Sequence, residues 1–210
     1  MLSLEWWAFE AFIFMAGAIG VLELASLTIC LNVHGLLMRI PLGITEATGA
    51  LLGNSIGANN VPLAERFFRL IFSISFVTML LIGAVIVLAR SQIVKLFSSE
   101  EDLSEMTLQA MIILGIRFLP VGLQAVLHGP IRALGLQARG SIVAFVSWII
   151  VGLPVGAILS FKYDYGLNGL MIGLTSAAFF QLFSYYAVLT TKDWYDIARA
   201  SKARVELDEQ

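Results

Sequence analysis

The sequence has few charged residues, and long stretches contain none. Charged residues make up 13% of the 210 residues, against about 25% in a typical soluble domain. The windows 70–89, 140–161 and 165–191 carry no charge at all, and hydrophobic residues reach 59% of the chain. About 20 consecutive apolar residues suffice to cross a hydrocarbon core. This composition excludes an ordinary soluble domain and predicts an integral, multi-pass membrane protein surrounded by a lipid bilayer.

Cysteine and histidine are nearly absent as well. Cys30 is the only cysteine, so an intrachain disulfide is excluded. Neither a His/Cys/Asp cluster with metal-ligand spacing nor a nucleophile–base set occurs, and the Gly-rich stretch 53–59 lacks the Lys-Ser/Thr of a phosphate-binding loop. We therefore expect no enzymatic activity, no metal, no cofactor beyond a coupling ion and no nucleic-acid partner.

The apolar pattern predicts an all-α, polytopic membrane helix bundle. Its six transmembrane helices are expected near residues 2–21, 24–53, 67–89, 105–128, 139–161 and 166–190. The second of these is too long for a straight crossing and contains Pro41, which removes a helical hydrogen bond and favours a bend. Similar bends are expected at Pro120 and Pro154.

Orientation follows from the loops, because Lys and Arg concentrate on the cytoplasmic side of membrane proteins. With both ends on one side, that side carries eight basic residues and the other three. Residues 1–192 are therefore predicted to form the membrane lobe, and residues 193–210 a cytoplasmic C-terminal tail that is a solvated helix. The eight are Arg66, Arg69, Arg132, Arg139, Lys192, Arg199, Lys202 and Arg204, and the three are Arg90, Lys95 and Lys162.

Two carboxylates lie in the first span, in the run from Glu5 to Glu10. An acid near the bilayer core costs roughly 2.5–3.5 kcal/mol on insertion scales, so it is a candidate functional group by default. Five residues correspond to about 140° around a helix, so both acids face one lumen only if the helix is distorted. A second interpretation places Glu5 at the cytoplasmic interface, with Trp6 and Trp7 in the interfacial aromatic belt.

Further polar residues lie at helical spacing in spans two and four. Asn32, Arg39 and Glu46 recur every seven residues. Arg39 and Glu46 either neutralise each other as a structural pair or contact substrate, since lone charges in a membrane are costly. Span four carries one polar face, with Arg117, Val121, Gln124 and His128. The candidates for lining a lumen are therefore Asn32, Arg39, Glu46, Arg117 and Gln124. His34 and His128 are expected to be structural groups, as histidines in packed helices usually are. The alternative is that they titrate near neutral pH and take part in coupling.

Several segments together resemble the multidrug and toxin extrusion (MATE) family of cation-coupled antiporters. The run LEWWAFE (4–10) resembles the start of that family's seventh helix, and the stretch 40–66 resembles the end of the eighth helix with its GN-x-x-GA loop. HGPIRALGLQARG (128–140) is similar to the family's G-x-x-RG-x-G-x-Q connection, and VGLPVG (151–156) and GLNGLMIG (166–173) match helices eleven and twelve in kind. The order and spacing of these segments make the set specific.

The resemblance implies one six-helix lobe of a twelve-helix transporter. The chain would correspond to the C-terminal lobe, as a fragment or truncated gene model lacking the N-terminal lobe, or as a half-transporter that pairs with a second chain. The implied function is export of organic cations or xenobiotics in exchange for protons or sodium, with Glu10 and Glu5 as coupling and substrate-binding acids. The sequence departs from many relatives at Asn32 and Val121, where an acid is frequent.

Two alternatives to this function remain. One is a lipid-linked oligosaccharide flippase of related architecture, for which Arg39 and Arg117 would supply a cationic lumen. The other is a non-transporting, truncated membrane protein. The substrate and the membrane that holds the protein do not follow from the sequence.

Overall fold

The chain folds into a bundle of long helices. A computed structural model describes the backbone of residues 2–199 and the side chains of residues 5–199. Every regular element in this part is helical, as predicted. The elements are α1 (Leu2–Ile19), α2 (Val21–Leu37), α3 (Arg39–Gly57), α4 (Val61–Leu88), α5 (Arg90–Lys95), α6 (Glu101–Ala133), α7 (Gln137–Phe145), a first π-helical segment (Val146–Gly152), α8 (Leu153–Ala157), a second π-helical segment (Ile158–Lys162) and α9 (Gly166–Thr190).

Within residues 2–199, five helical segments are long and apolar enough to cross a membrane, and they match predicted spans two to six. They are Val21–Gly57, Val61–Leu88, Glu101–Ala133, Gln137–Lys162 and Gly166–Thr190. The 18-residue helix α1 supplies the first helix of the predicted six. Most consecutive segments lie side by side, but Gln137–Lys162 contacts Glu101–Ala133 chiefly through α7 and packs mainly on Gly166–Thr190.

The second span is interrupted where a proline removes a backbone donor. α2 ends at Leu37, Met38 forms a turn, and α3 begins at Arg39. The backbone partner of Pro41 in a continuous helix would be the Leu37 carbonyl, and proline has no N–H to donate to it. By contrast, α6 continues without interruption through Pro120.

α6 is the central helix of the bundle. It contacts α2, α3, α4, α5, α7 and α9, and residues 120–131 are all buried. Glycines let two neighbours approach closely, as small residues do in membrane bundles. Gly129 packs against the backbone of α3 at Thr45 and Gly49, and Gly115 packs against Gly83 of α4.

The helix that spans residues 137–162 changes type three times along its length and packs against α9. In the first π-helical segment Trp148 is buried, and the following Gly152 and Gly156 lie against Gly173 of α9. A side chain at Gly173 would collide with the backbone of Gly156. This close contact holds Trp148 beside α9.

The second residue of the predicted tail, Trp194, is packed against the bundle. Residues 194–199 are helical, and Trp194 is 8% exposed. Its indole N–H donates to the Leu189 carbonyl at 3.0 Å, and its ring lies 5.7 Å from that of Phe68. The start of this segment is therefore helical, as predicted, but its face with Trp194 and Ala198 is buried and not solvated. Residues 200–210, with Lys202 and Arg204, lie outside the described residues.

The close contact of α3 with α6 gives a test of the packing. A methyl group at Gly129 would meet the Thr45 carbonyl and the Gly49 amide, both backbone atoms that cannot rotate away. Gly129→Ala should therefore destabilise the bundle by about 1–3 kcal/mol, the usual cost of overpacking. The control is Gly53→Ala in α3, where a methyl group meets nothing within 4 Å.

The free energy of unfolding of both variants is measured in detergent, with circular dichroism reporting the loss of helix. The control should be neutral or slightly stabilising, because Ala favours a helix over Gly by about 1 kcal/mol. Equal stability of the two variants would contradict the close approach of α3 to α6.

Candidate functional site

A cavity of about 550 Å³ opens between α1, α2, the start of α3, α6 and the first π-helical segment. This volume is in the range of about 300–1,000 Å³ that is usual for small-molecule sites. Three aromatic side chains, Trp6, Phe9 and Trp148, contribute to its wall. The polar side chains that line it are Glu5, Glu10, Asn32, His34, Arg39 and Gln124. Polar groups and aromatic faces thus converge on one concave site.

The cavity brings together five of the seven side chains that the sequence singled out. Glu5 and Gln124 lie in its buried wall, whereas Glu10, Asn32 and Arg39 are exposed to it. Both acids of α1 line the cavity without a break in that helix. Val121 also lines it, so the wall of α6 is apolar one turn before Gln124. The two predicted residues outside the lining are Glu46 and Arg117.

The predicted Arg39–Glu46 pair is wrong. The Glu46 carboxylate accepts a hydrogen bond from Arg132 of α6 at 2.8 Å, away from the cavity. Both partners are substantially exposed. Arg39 and Glu46 both lie on α3, and their seven-residue spacing separates them by about 10.5 Å along the helix axis, farther than the three or four residues at which side chains on one helix meet. Arg39 therefore faces the cavity while Glu46 faces α6.

Glu5 is fixed by a hydrogen-bond network that joins four parts of the bundle. Its Oε1 accepts from Gln181 Nε2 of α9 at 2.7 Å. Gln181 Nε2 also lies 2.8 Å from the Tyr185 hydroxyl, which donates to the Gly140 carbonyl of α7 at 3.2 Å. Trp148 donates its indole N–H to Gln181 Oε1. Glu5 is 8% exposed, so its side chain is packed within the bundle and not solvated.

Trp148 determines which way the Gln181 amide points. Because an indole N–H can only donate, the Gln181 oxygen must face Trp148 and its NH₂ group must face Glu5. Oε1 of Glu5 is therefore an acceptor. Among the described residues, no hydrogen bond reaches Oε2 of Glu5. Oε1 is thus anchored, whereas Oε2 has no hydrogen-bond partner in the described part of the chain.

His128 of α6 lies on the other side of this carboxylate. Its Nε2 is 3.5 Å from Glu5 Oε1, a distance that brings the groups together without hydrogen-bond geometry. The imidazole ring also packs edge-on against the Tyr185 ring, with centroids 5.3 Å apart. His128 therefore contacts the Glu5 site, although it does not line the cavity.

Arg117 of α6 is 1% exposed. None of its three guanidinium nitrogens has a hydrogen-bond partner among the described residues. The centroid of the Phe9 ring lies 5.7 Å from the Cζ atom of Arg117. Since Phe9 lines the cavity, this buried charge lies immediately behind the cavity wall.

Three residues of the network escaped sequence reasoning: Trp148, Gln181 and Tyr185. The available signal was a side-chain amide in a span without charges, because a buried amide needs partners. Gln181 and Tyr185 also lie four residues apart, on one helix face. The contact of Gln181 with Glu5, 176 positions away, follows only from the packing of α1 on α9.

Known proteins resemble the chain over most of its length. The MatE family model matches residues 1–158. Protein DETOXIFICATION 16 of Arabidopsis thaliana is 32% identical over 208 residues, which is 98% of this chain and 43% of that protein. Multidrug and toxin extrusion protein 2 of Mus musculus is 27% identical over 99% of this chain and 36% of its own length.

A solved structure has the same fold. The crystal structure of the eukaryotic MATE transporter AtDTX14 superimposes with a TM-score of 0.92 and 28% identity, covering 96% of this chain and 46% of that one. The chain thus spans less than half the length of the relatives that it matches.

The hydroxyl of Tyr185 provides a test of the network. Tyr185→Phe removes the group that links Gln181 to Gly140, so the protein should lose about 1 kcal/mol of unfolding free energy, the net value of an ordinary hydrogen bond. The control is Tyr186→Phe, because the neighbouring ring is 45% exposed. The unfolding free energy of both variants would be measured in detergent, with circular dichroism reporting the loss of helix. A loss of the same size in the two variants would argue against the network.

Proposed function

This chain belongs to the MatE family of multi-pass membrane transporters, and we propose that it is the cation-binding lobe of an antiporter. In this proposal the protein exports organic cations or xenobiotics, and protons move in the opposite direction. Members of the family are transporters, and the proposal assigns no enzymatic reaction. Because the chain spans less than half of its relatives, the activity of a whole transporter is part of the proposal.

The anchored carboxylate of Glu5 carries this proposal. A charge in a membrane interior must be neutralised or paired. With Oε1 held by Gln181, the free Oε2 can be neutralised either by a proton or by a cation in the cavity, but not fully by both. Binding of one therefore favours release of the other, which is the coupling that an antiporter requires.

Glu10 has a different part in the mechanism. It lines the same cavity but is exposed, so its carboxylate attracts cations without being confined to one geometry. The aromatic rings of Trp6, Phe9 and Trp148 provide faces that stabilise organic cations by cation–π contacts. Glu10 would thus gather cationic cargo, and Glu5 would exchange it for a proton.

Transport also needs a second lobe. In repeat-built transporters, two halves rock around a central site to expose it to each side in turn. We propose that the cavity faces such a second half, supplied by an N-terminal lobe or by a second chain.

The excess of Lys and Arg in the loops then places the C-terminus in the cytoplasm. Sodium in place of the proton would use the same carboxylate oxygens.

The exchange step is tested by removing each acid separately. Glu5→Gln keeps the size and the amide contacts of the side chain but loses its charge. Removing a buried charge partner costs about 2 kcal/mol or more, so pH-driven efflux should fall by roughly 30-fold or more. Glu10→Gln should also lower efflux, mainly through weaker binding of cations.

The measurement is efflux of tetraethylammonium, driven by a pH gradient, from proteoliposomes that contain the native assembly of this chain. The control is Glu46→Gln, which removes an exposed acid outside the cavity and should leave efflux unchanged. Unchanged efflux in Glu5→Gln would remove this carboxylate from the mechanism, and unchanged efflux in Glu10→Gln would do the same for Glu10.

A further inference from the structure

A second cavity, of about 330 Å³, lies at one end of the bundle. Its lining comes from the start of α4, the end of α9 and residues 192–195, which follow α9. Among the residues that the structure describes, none lines both this cavity and the one around Glu5. Because α4 and α9 are membrane-spanning segments, the second cavity lies where two spans reach the membrane surface, at the level of the lipid headgroups.

A row of aromatic side chains runs from this cavity toward the membrane interior. Trp194 and Phe68 line the cavity, and their ring centroids are 5.7 Å apart. Phe68 stacks on Phe72 with centroids 5.9 Å apart, and the Phe72 ring lies 5.8 Å from that of Tyr186 in α9. Phe72 is about one turn deeper in α4 than Phe68. Trp and Tyr are enriched where a protein passes from hydrocarbon to headgroups, so this aromatic row is typical of a membrane interface.

Four charged side chains line the cavity, two of each sign. They are Glu65 and Arg69 of α4, and Lys192 and Asp193 after α9. Glu65 and Arg69 are four residues apart, a spacing at which opposite charges on a helix can meet. Within the described part of the chain, however, none of the four has an oppositely charged side chain within 4 Å. The cavity thus presents two cations and two anions that are free to contact one ligand.

The chemistry of these groups specifies the ligand. A phosphate diester has acceptor oxygens for Arg69 and Lys192, whose side chains can only donate hydrogen bonds. A primary ammonium group has three N–H donors for the carboxylates of Glu65 and Asp193. A quaternary ammonium group has no such donor. A phosphate and a primary ammonium joined by two carbons form the headgroup of phosphatidylethanolamine.

We propose that this cavity binds phosphatidylethanolamine from the surrounding bilayer. The phosphate lies against Arg69 and Lys192, the ammonium lies against Glu65 and Asp193, and one acyl chain follows the aromatic row between α4 and α9. Since the site is separate from the cavity around Glu5, this inference goes beyond the proposed transport function and does not depend on it. The bound lipid would join α4 to the segment that follows α9.

The same headgroup also occurs in soluble phosphorylated amines. Two observations favour the lipid. The aromatic row continues from the cavity along α4 and α9, and the side chain of Leu70, next to Arg69, is apolar and exposed. Exposed apolar surface beside a polar site is typical of a membrane contact. A soluble ligand would leave this surface unused.

The test is native mass spectrometry of the native assembly in detergent, titrated with one lipid at a time. The lipids are the dioleoyl forms of phosphatidylethanolamine, phosphatidylcholine and phosphatidylglycerol, and glycerophosphoethanolamine is the soluble probe. Phosphatidylethanolamine should bind roughly tenfold more tightly than the other two lipids, the effect expected of one charge-assisted hydrogen bond. Glycerophosphoethanolamine, which lacks acyl chains, should bind more weakly than the lipid.

The variants address each half of the headgroup. Arg69→Gln should weaken phosphatidylethanolamine and phosphatidylcholine alike, because both carry the phosphate. Glu65→Gln combined with Asp193→Asn should abolish the preference for phosphatidylethanolamine over phosphatidylcholine. The controls are Lys162→Gln and Glu101→Gln, which remove exposed charges near the opposite ends of the spans and should change neither affinity.

Four results would overturn the assignment. They are equal affinity for the three lipids, tighter binding of phosphatidylglycerol, unchanged affinity in Arg69→Gln, and binding of glycerophosphoethanolamine as tight as that of the lipid. The last result would assign the cavity to a soluble phosphorylated amine. Failure of the antiport mechanism is distinguishable, because it appears as absent pH-driven efflux of tetraethylammonium, whereas these measurements record lipid binding alone.

Discussion

The structure depends on holding one carboxylate inside a membrane bundle without cancelling its charge. Gln181 achieves this, because its amide oxygen accepts from Trp148 and its NH₂ group, which is a donor, faces Glu5 and the Tyr185 hydroxyl. Tyr185 extends the network to the backbone of α7. These contacts bring together α1, α7, α9 and the first π-helical segment, so the packing of the lobe and the chemistry of the site rely on the same hydrogen bonds.

The opposite wall of the cavity has a different character. There α6 carries Gln124 in the lining and Arg117 behind it. Polar atoms of both side chains have no hydrogen-bond partner among the described residues. Glycines such as Gly129 draw α3 close to α6, and α3 carries Arg39 at its first turn. One wall therefore anchors an acid, while the other presents positive charge.

Much of the fold could be predicted from the sequence, because a membrane span is recorded locally in its hydropathy. The break near Pro41 was predictable because its cause is also local: the backbone N–H that proline lacks. The pairing of charges was not. Glu46 pairs with Arg132, 86 positions away, and Gln181 reaches Glu5 over 176. Such contacts depend on how helices pack, and hydropathy carries no information about their relative rotation.

Infrared difference spectroscopy tests most directly whether Glu5 exchanges a proton for a cation. The native assembly in lipid is first equilibrated at acidic pH, and an organic cation is then added. The account predicts that the C=O band of a protonated carboxyl group disappears on addition, that this change is absent in Glu5→Gln, and that it persists in Glu10→Gln. A band that does not respond to the cation, or one that responds equally in Glu5→Gln, would contradict it.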